Sequence, residues 1–108
     1  MITKDSFFEM ALSFPGAEQK PHFDRTAFKV IGKKIFASYH EPSHSANILL
    51  SPTEQRTFCK LEGGYIYRVA NKWGLQGWTT FELNKLDEGL VLNALSSAYE
   101  LVRNTKKQ

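Results

Sequence analysis

Phe28-Lys29-Val30-Ile31-Gly32-Lys33-Lys34-Ile35-Phe36-Ala37 reads as two short strands folded back on each other. Phe28 and Val30 alternate with Lys29 and Ile31, and Ile35, Ala37 and Tyr39 form one face of the following strand. A half-buried strand requires this spacing, because successive side chains point to opposite faces. Gly32-Lys33 predicts a two-residue hairpin turn, with glycine taking the positive φ. Ala46 to Leu50 forms another strand. Tyr65, Tyr67 and Val69 alternate with Ile66 and Arg68, and Trp78 to Leu83 form a last strand after a polar, glycine-containing turn. Short connections between neighbouring strands imply antiparallel pairing.

Helices flank these strands. The first is expected over 4–14, with Thr3 as N-cap, Asp5 in the first turn, and Phe7, Ala11 and Phe14 on one face before Pro15-Gly16 ends it. The second opens at Ser51-Pro52-Thr53-Glu54, where serine caps, proline fits the first helical position and glutamate completes a capping box. Gly63-Gly64 stops it. The third runs from Asp87 to about Asn104. Its core stripe is read as Leu90, Ala94, Ala98 and Leu101, with Val91, Leu95 and Val102 beside it; Arg103, Lys106 and Lys107 suit the negative end of the helix dipole. The order predicts an α+β fold, an antiparallel sheet of about five to six strands with three helices packed on it.

The chain of 108 residues is read as one domain over 1–108, long enough for an ordinary core without metal or disulfide staples. At 42% hydrophobic residues and 13% aromatic, intrinsic disorder is excluded. The lone Cys59 has no internal disulfide partner, which points to a reducing, cytoplasmic setting. The first residues do not read as a signal peptide, and no apolar run approaches the ~20 residues that cross a bilayer. Net charge is only +3, but it is unevenly spread. Lys20, Arg25, Lys29, Lys33 and Lys34 stand against Asp24 alone, and Arg56, Lys60, Arg68 and Lys72 against Glu62. Farther on, Lys85 faces Glu82, Asp87, Glu88 and Glu100. Such segregation can make one face basic and attractive to phosphates; the ordinary alternative is a set of solubilising surface charges.

His40-Glu41-Pro42-Ser43-His44 satisfies the zinc-protease pattern of two histidines flanking a glutamate. That chemistry needs both histidines one turn apart on a helix, and Pro42 in mid-motif breaks a helix at a cost of about 3 kcal/mol. The segment reads as a loop. Cys59 has cations near it in sequence but no specified base, so it reads as a partly buried structural thiol. Neither Gly63-Gly64 nor Gly74 with Gly77 matches a phosphate-binding glycine loop. No residue constellation carries catalysis, and no enzyme activity, metal or cofactor is expected. The most unusual stretch is Arg68-Val69-Ala70-Asn71-Lys72-Trp73-Gly74-Leu75-Gln76-Gly77-Trp78. There Lys72 can meet a phosphate while Trp73 or Gln76 reaches a groove or stacks, and Trp78 is read as core.

Four segments in series resemble the MmcQ/YjbR-like family. Ala11-Leu12-Ser13-Phe14-Pro15-Gly16-Ala17-Glu18 is similar to its N-terminal signature, and residues 28–37 to its hairpin. Asn71-Lys72 followed by Trp78 resembles its Asn-Lys and tryptophan segment, and Ala98-Tyr99-Glu100-Leu101-Val102 its closing helix. Here Trp73-Gly74-Leu75-Gln76-Gly77 is inserted before the tryptophan, and Ala98 stands where the family usually has serine. The resemblance implies a CyaY-like α+β fold and a double-wing mode of DNA binding, with hairpin loops as wings. Iron binding on such a fold needs an acidic helix ridge, and the first helix offers only Asp5 and Glu9.

The expectation is therefore a monomeric, non-enzymatic module that binds nucleic acid, most readily double-stranded DNA. Arg25, Lys29, Lys33 and Lys34 would form one wing, and Arg68, Lys72 and Trp73 the second. The alternative is a protein- or small-ligand-interaction module without a nucleic-acid role, its pocket lying between sheet and helices and containing a tryptophan.

Overall fold

The computed structural model describes residues 2–61 and 63–104. Lys106 and Lys107, expected beyond the last helix, and Glu62 of the local charge balance lie outside them. Along the chain come α1 (Lys4–Leu12), β1 (Ala17–His22), β2 (Arg25–Val30), β3 (Ile35–His40), β4 (Ser45–Leu49) and α2 (Pro52–Cys59). There follow β5 (Ile66–Arg68), α3 (Lys72–Leu75), β6 (Trp78–Glu82), a 3-10 turn at Leu83–Lys85 and α4 (Glu88–Arg103). The fold is α+β, as expected. Its helices begin where local chemistry dictates. The Thr3 hydroxyl accepts from the Ser6 amide while Ser6 returns a bond to Thr3, Ser51 accepts from Glu54, and Asp87 from Leu90. The Glu54 carboxylate does not close a capping box on Ser51; it accepts from Ser97 of α4 at 2.9 Å and ties the two helices together.

The strands form one antiparallel sheet in the order β1-β2-β3-β4-β6-β5. Two adjacent rows of side chains cross all six strands and differ in character. Pro21, Thr26, Tyr39, Ala46, Phe81 and Ile66 are mutual neighbours on one face. Lys20, Ala27, Ser38, Asn47, Thr80 and Tyr67 are neighbours on the other. The first face carries the core. α4 packs across β2, β3 and β4, α1 lies against β1 and α4, and α2 rests on β5. Phe7, Phe28, Phe36 and Phe81 are fully buried there, and Tyr99 stacks on Phe14 while its hydroxyl donates to the Pro15 carbonyl at 2.6 Å. The second face has no long helix over it.

Several expectations need correction. β1 was absent from the sequence pattern because Glu18-Gln19-Lys20-Pro21 does not alternate; it is the edge strand, where proline costs no ladder bond. The β2–β3 connection is four residues long, and its tight turn centres on Ile31-Gly32, with Gly32 at φ +77 and the Lys33 amide bonded to Val30. The pairing of β2 with β3 shifts after Phe28, so Lys29 opposes Ile35 and Phe36 is an extra residue. That bulge turns Phe36 into the core with Ala37 and leaves Ile35 on the open side, so Ile35, Ala37 and Tyr39 do not share a face. In α4 the buried stripe is Val91, Ala94, Leu95, Ala98, Tyr99 and Val102, whereas Leu101 is exposed. The turn before β6 contains the one-turn helix α3. Among the described residues no helix is long and apolar enough to cross a membrane.

Gly77 stands at φ +110, and a Cβ there would collide with the Leu50 carbonyl, which itself lies beside the β-ladder. Gly32, also at positive φ, faces open space. In urea unfolding, Gly77→Ala is expected to cost about 3 kcal/mol or more, and Gly32→Ala only about 1 kcal/mol.

Candidate functional site on the open face of the sheet

The segment between β5 and β6 builds one wall of the site, and it is held by hydrogen bonds rather than by bulk. Asn71 caps α3 by accepting from the Trp73 amide at 2.9 Å. Gly74 is buried against the Val69 carbonyl, so close that a Cβ would overlap it, and the Leu50 amide bonds Gly77 at 3.0 Å. From the far side the buried amide of Gln55 in α2 reaches in. Its Nε2 lies 3.0 Å from the Gly74 carbonyl, 3.1 Å from Thr79 Oγ1 and 3.3 Å from the Trp78 carbonyl. Two protons shared among three acceptors fix the start of β6 to α2.

This rigid corner stands Trp73 and Trp78 over the open face. A first cavity, about 560 Å³, runs from Lys34 and Ile35 past Trp73, Gln76 and Trp78 to Leu101 on α4. A second, about 390 Å³, shares Ile35, Trp73 and Trp78 with it. It extends over Val69, Ser38 and Asn47 to His22 and Arg25. The two together make one groove along the sheet surface. The second cavity lies on the open face, whereas the first reaches the boundary of sheet and helix at Leu101 and Val102 of α4, so a tryptophan-lined pocket between sheet and helices is met only at that end.

Arg25 occupies the inner end of this groove. Its Nε donates to Ser38 Oγ at 2.8 Å. Its Nη2 is sealed from solvent and has no hydrogen-bond partner. Burial pulls the Arg25 pKa below its ordinary value, an effect that the neighbouring Asp24 carboxylate partly offsets. Lys34 stands exposed at the other end. Lys72 is exposed, with its Nζ 5.7 Å from the centre of the Trp73 ring, within cation–π range. Trp73 itself is 49% exposed.

The structure thus gathers Arg25, Lys34, Lys72 and Trp73 about one groove. Lys33 lies beside Lys34 in the turn, half-buried. Lys29 is half-buried and stands opposite Glu18 in the β1–β2 register. Arg68 is not part of the groove. It pairs with Thr79 on the helix-covered side, and its charge falls on the Cys59 thiol. Trp78 is only partly buried and lines the groove, where core was expected. Sequence reasoning missed Ile35, Ser38, Asn47 and His22 as wall residues. The period-2 alternation of β4 and β6 places Asn47 and Trp78 on the outward face, and was the available signal for those two.

The tempting histidine motif is spent on structure. His40 closes β3, and its ring meets Ser43 Oγ at 2.7 Å and Asp24 Oδ2 at 3.0 Å. His44, at φ +48, has Nε2 2.8 Å from the Ile2 carbonyl, so that nitrogen donates and Nδ1 accepts from the Tyr39 hydroxyl. Among the described residues no group of His, Cys, Asp and Glu could hold a metal ion.

A family model described as YjbR matches residues 12–101, from the end of α1 to near the end of α4. No curated protein matches the chain.

Two outcomes follow from these contacts. Gln55→Leu removes three bonds from the corner, although the Gly74 and Trp78 carbonyls keep backbone partners in Gly77 and Val69, and is expected to cost about 2 kcal/mol in urea unfolding, with faster amide exchange in residues 71–78. Burial raises the Cys59 pKa, against the opposing pull of Arg68. At mildly alkaline pH its thiolate fraction is therefore small, and iodoacetamide should alkylate it more slowly than free cysteine.

Proposed function

The chain belongs to the YjbR family, and from that premise we propose that it is a monomeric, non-enzymatic module that binds double-stranded DNA mainly through phosphate contacts. The observation that carries this reading is the meeting of two distant segments. Lys34 of the β2–β3 turn and Trp73 of α3 line one groove, and Lys72 stands beside Trp73. Two basic projections at one end of a sheet, with a trough between them, suit the paired phosphate rows of a duplex. Lys33 adds charge beside Lys34, and Arg25 and Lys29 extend it along β2. Trp73 and Gln76, at the rim, are the groups placed to meet a sugar or base edge.

Such binding is electrostatic and reports itself through salt. Each neutralised phosphate contributes a slope of about −0.9 to log K against log salt. A second reading, an interaction module with no nucleic-acid role, is favoured by the largely apolar second cavity between Arg25 and the two tryptophans.

Fluorescence anisotropy of a short labelled duplex, titrated at several salt concentrations, tests the proposal. The expected result is affinity that falls steeply with salt, and a Lys34→Glu/Lys72→Glu variant whose slope is shallower by about 2. Affinity that is indifferent to salt, or to the double substitution, would sink the phosphate mechanism.

A further inference from the structure

We propose that the cavity between Arg25 and the two tryptophans is a binding site for a small organic anion, one with a carboxylate or phosphate head and a flat or apolar body. The site shares Arg25 and Trp73 with the proposed duplex contacts. It does not depend on Lys34 or Lys72, and it stands or falls without them.

The two ends of the cavity differ. At one end are His22, Arg25, Ser38 and Asn47, and at the other Ile35, Val69, Trp73 and Trp78. The polar end has its own organisation. Ser38 is buried and holds Arg25 by its Nε, which fixes the guanidinium plane over the sheet. Asn47 Oδ1 accepts from Thr80 Oγ1 of β6 at 2.8 Å. Asp24, the neighbouring acid, meets His40 at 3.0 Å rather than the guanidinium. A charged group is thereby held half-buried, with one nitrogen shut off from water and unpaired.

Arg25 stands in the wall of the cavity, and an arginine fork is shaped for a carboxylate or phosphate. An anion seated on the pocket side of the guanidinium would neutralise its charge where screening is weak. The apolar end then selects what is attached to the anion. Two indoles, an isoleucine and a valine offer flat and aliphatic surface, and a cavity of about 390 Å³ suits a body of a dozen or so heavy atoms. A bare inorganic anion would leave that end filled only by water. A neutral apolar molecule would bring no charge to meet the guanidinium.

Trp73 and Trp78 are the chain's two tryptophans and both line the cavity, so intrinsic emission reports on the site directly. The probes are phenylbutyrate, its uncharged amide, and adenosine monophosphate, titrated into the full chain. Phenylbutyrate is expected to shift tryptophan emission saturably, with the amide weaker by about tenfold or more, the worth of a charge-assisted bond. Arg25→Gln, which keeps a polar group toward Ser38, should lose that preference, and Trp73→Ala on the exposed wall should weaken both probes. Circular dichroism confirms that each variant folds. A response to adenosine monophosphate alone would still support the anion and name phosphate as its head. Two results would overturn the proposal: no saturable change with either anion, or acid and amide binding equally in both the parent chain and Arg25→Gln.

Discussion

Six antiparallel strands create two broad faces, and the long helices of this chain cover one. That constraint decides what each strand residue must be. On β6, Thr79 and Phe81 turn toward the helices and are fully buried, whereas Trp78, Thr80 and Glu82 turn away and stay partly wet. Burying four phenylalanines and α4's aliphatic stripe on one side supplies the main drive to fold, since each large apolar side chain removed from water is worth about 1.5–3 kcal/mol. Nothing of that scale holds the other face. Its residues are polar where they meet water and aromatic where α3 stands over them, so a groove is left on the sheet surface rather than beneath it.

The groove keeps its shape because of a contact from behind. Gln55 sits on the covered side, yet its amide reaches the Gly74 and Trp78 carbonyls that frame α3. A buried amide is stabilising only when its partners are present, and here they belong to a loop that is otherwise pinned by Asn71, by Gly77 and by the Val69 amide on the Trp78 carbonyl. The residues Trp73 to Gln76 thus form a short, braced wall. Bracing matters for either ligand class, since an indole held in place loses less freedom on binding.

Much of the fold was legible in the residues, and the reasons differ by element. Thr3, Ser51 and Asp87 announce helix starts because a hydroxyl or carboxylate there satisfies amides that the helix leaves unpaired. β4 and β6 were visible through their composition and turns. β1 was not, because an edge strand has one neighbour and little core to pattern it. The bulge at Phe36 was invisible as well, since it arises from the register between two strands and not from either alone. Site residues divide along the same line. The cations of the two loops could be proposed from local sequence, but that Lys34 and Trp73 share a groove, and that Arg68 faces Cys59 instead, depends on strand order.

Charges along the groove act through two different physics. Lys34 and Lys72 are exposed, so their pull on a polyanion reaches far at low salt and fades once the Debye length shrinks to about 8 Å at physiological ionic strength. Arg25 is half-buried, and its field is screened far less. A ligand gathered by the lysines is held by diffuse attraction over many phosphates, whereas one seated at Arg25 is held by geometry at a single head group. Ile35, Trp73 and Trp78 belong to the walls of both cavities, so the two proposed modes would meet on shared side chains. An anion lodged against the indoles alters the surface a duplex would meet. The bulge that turns Ile35 to the open side and the amide that braces α3 would therefore couple the two ends of the groove, although neither touches a charge.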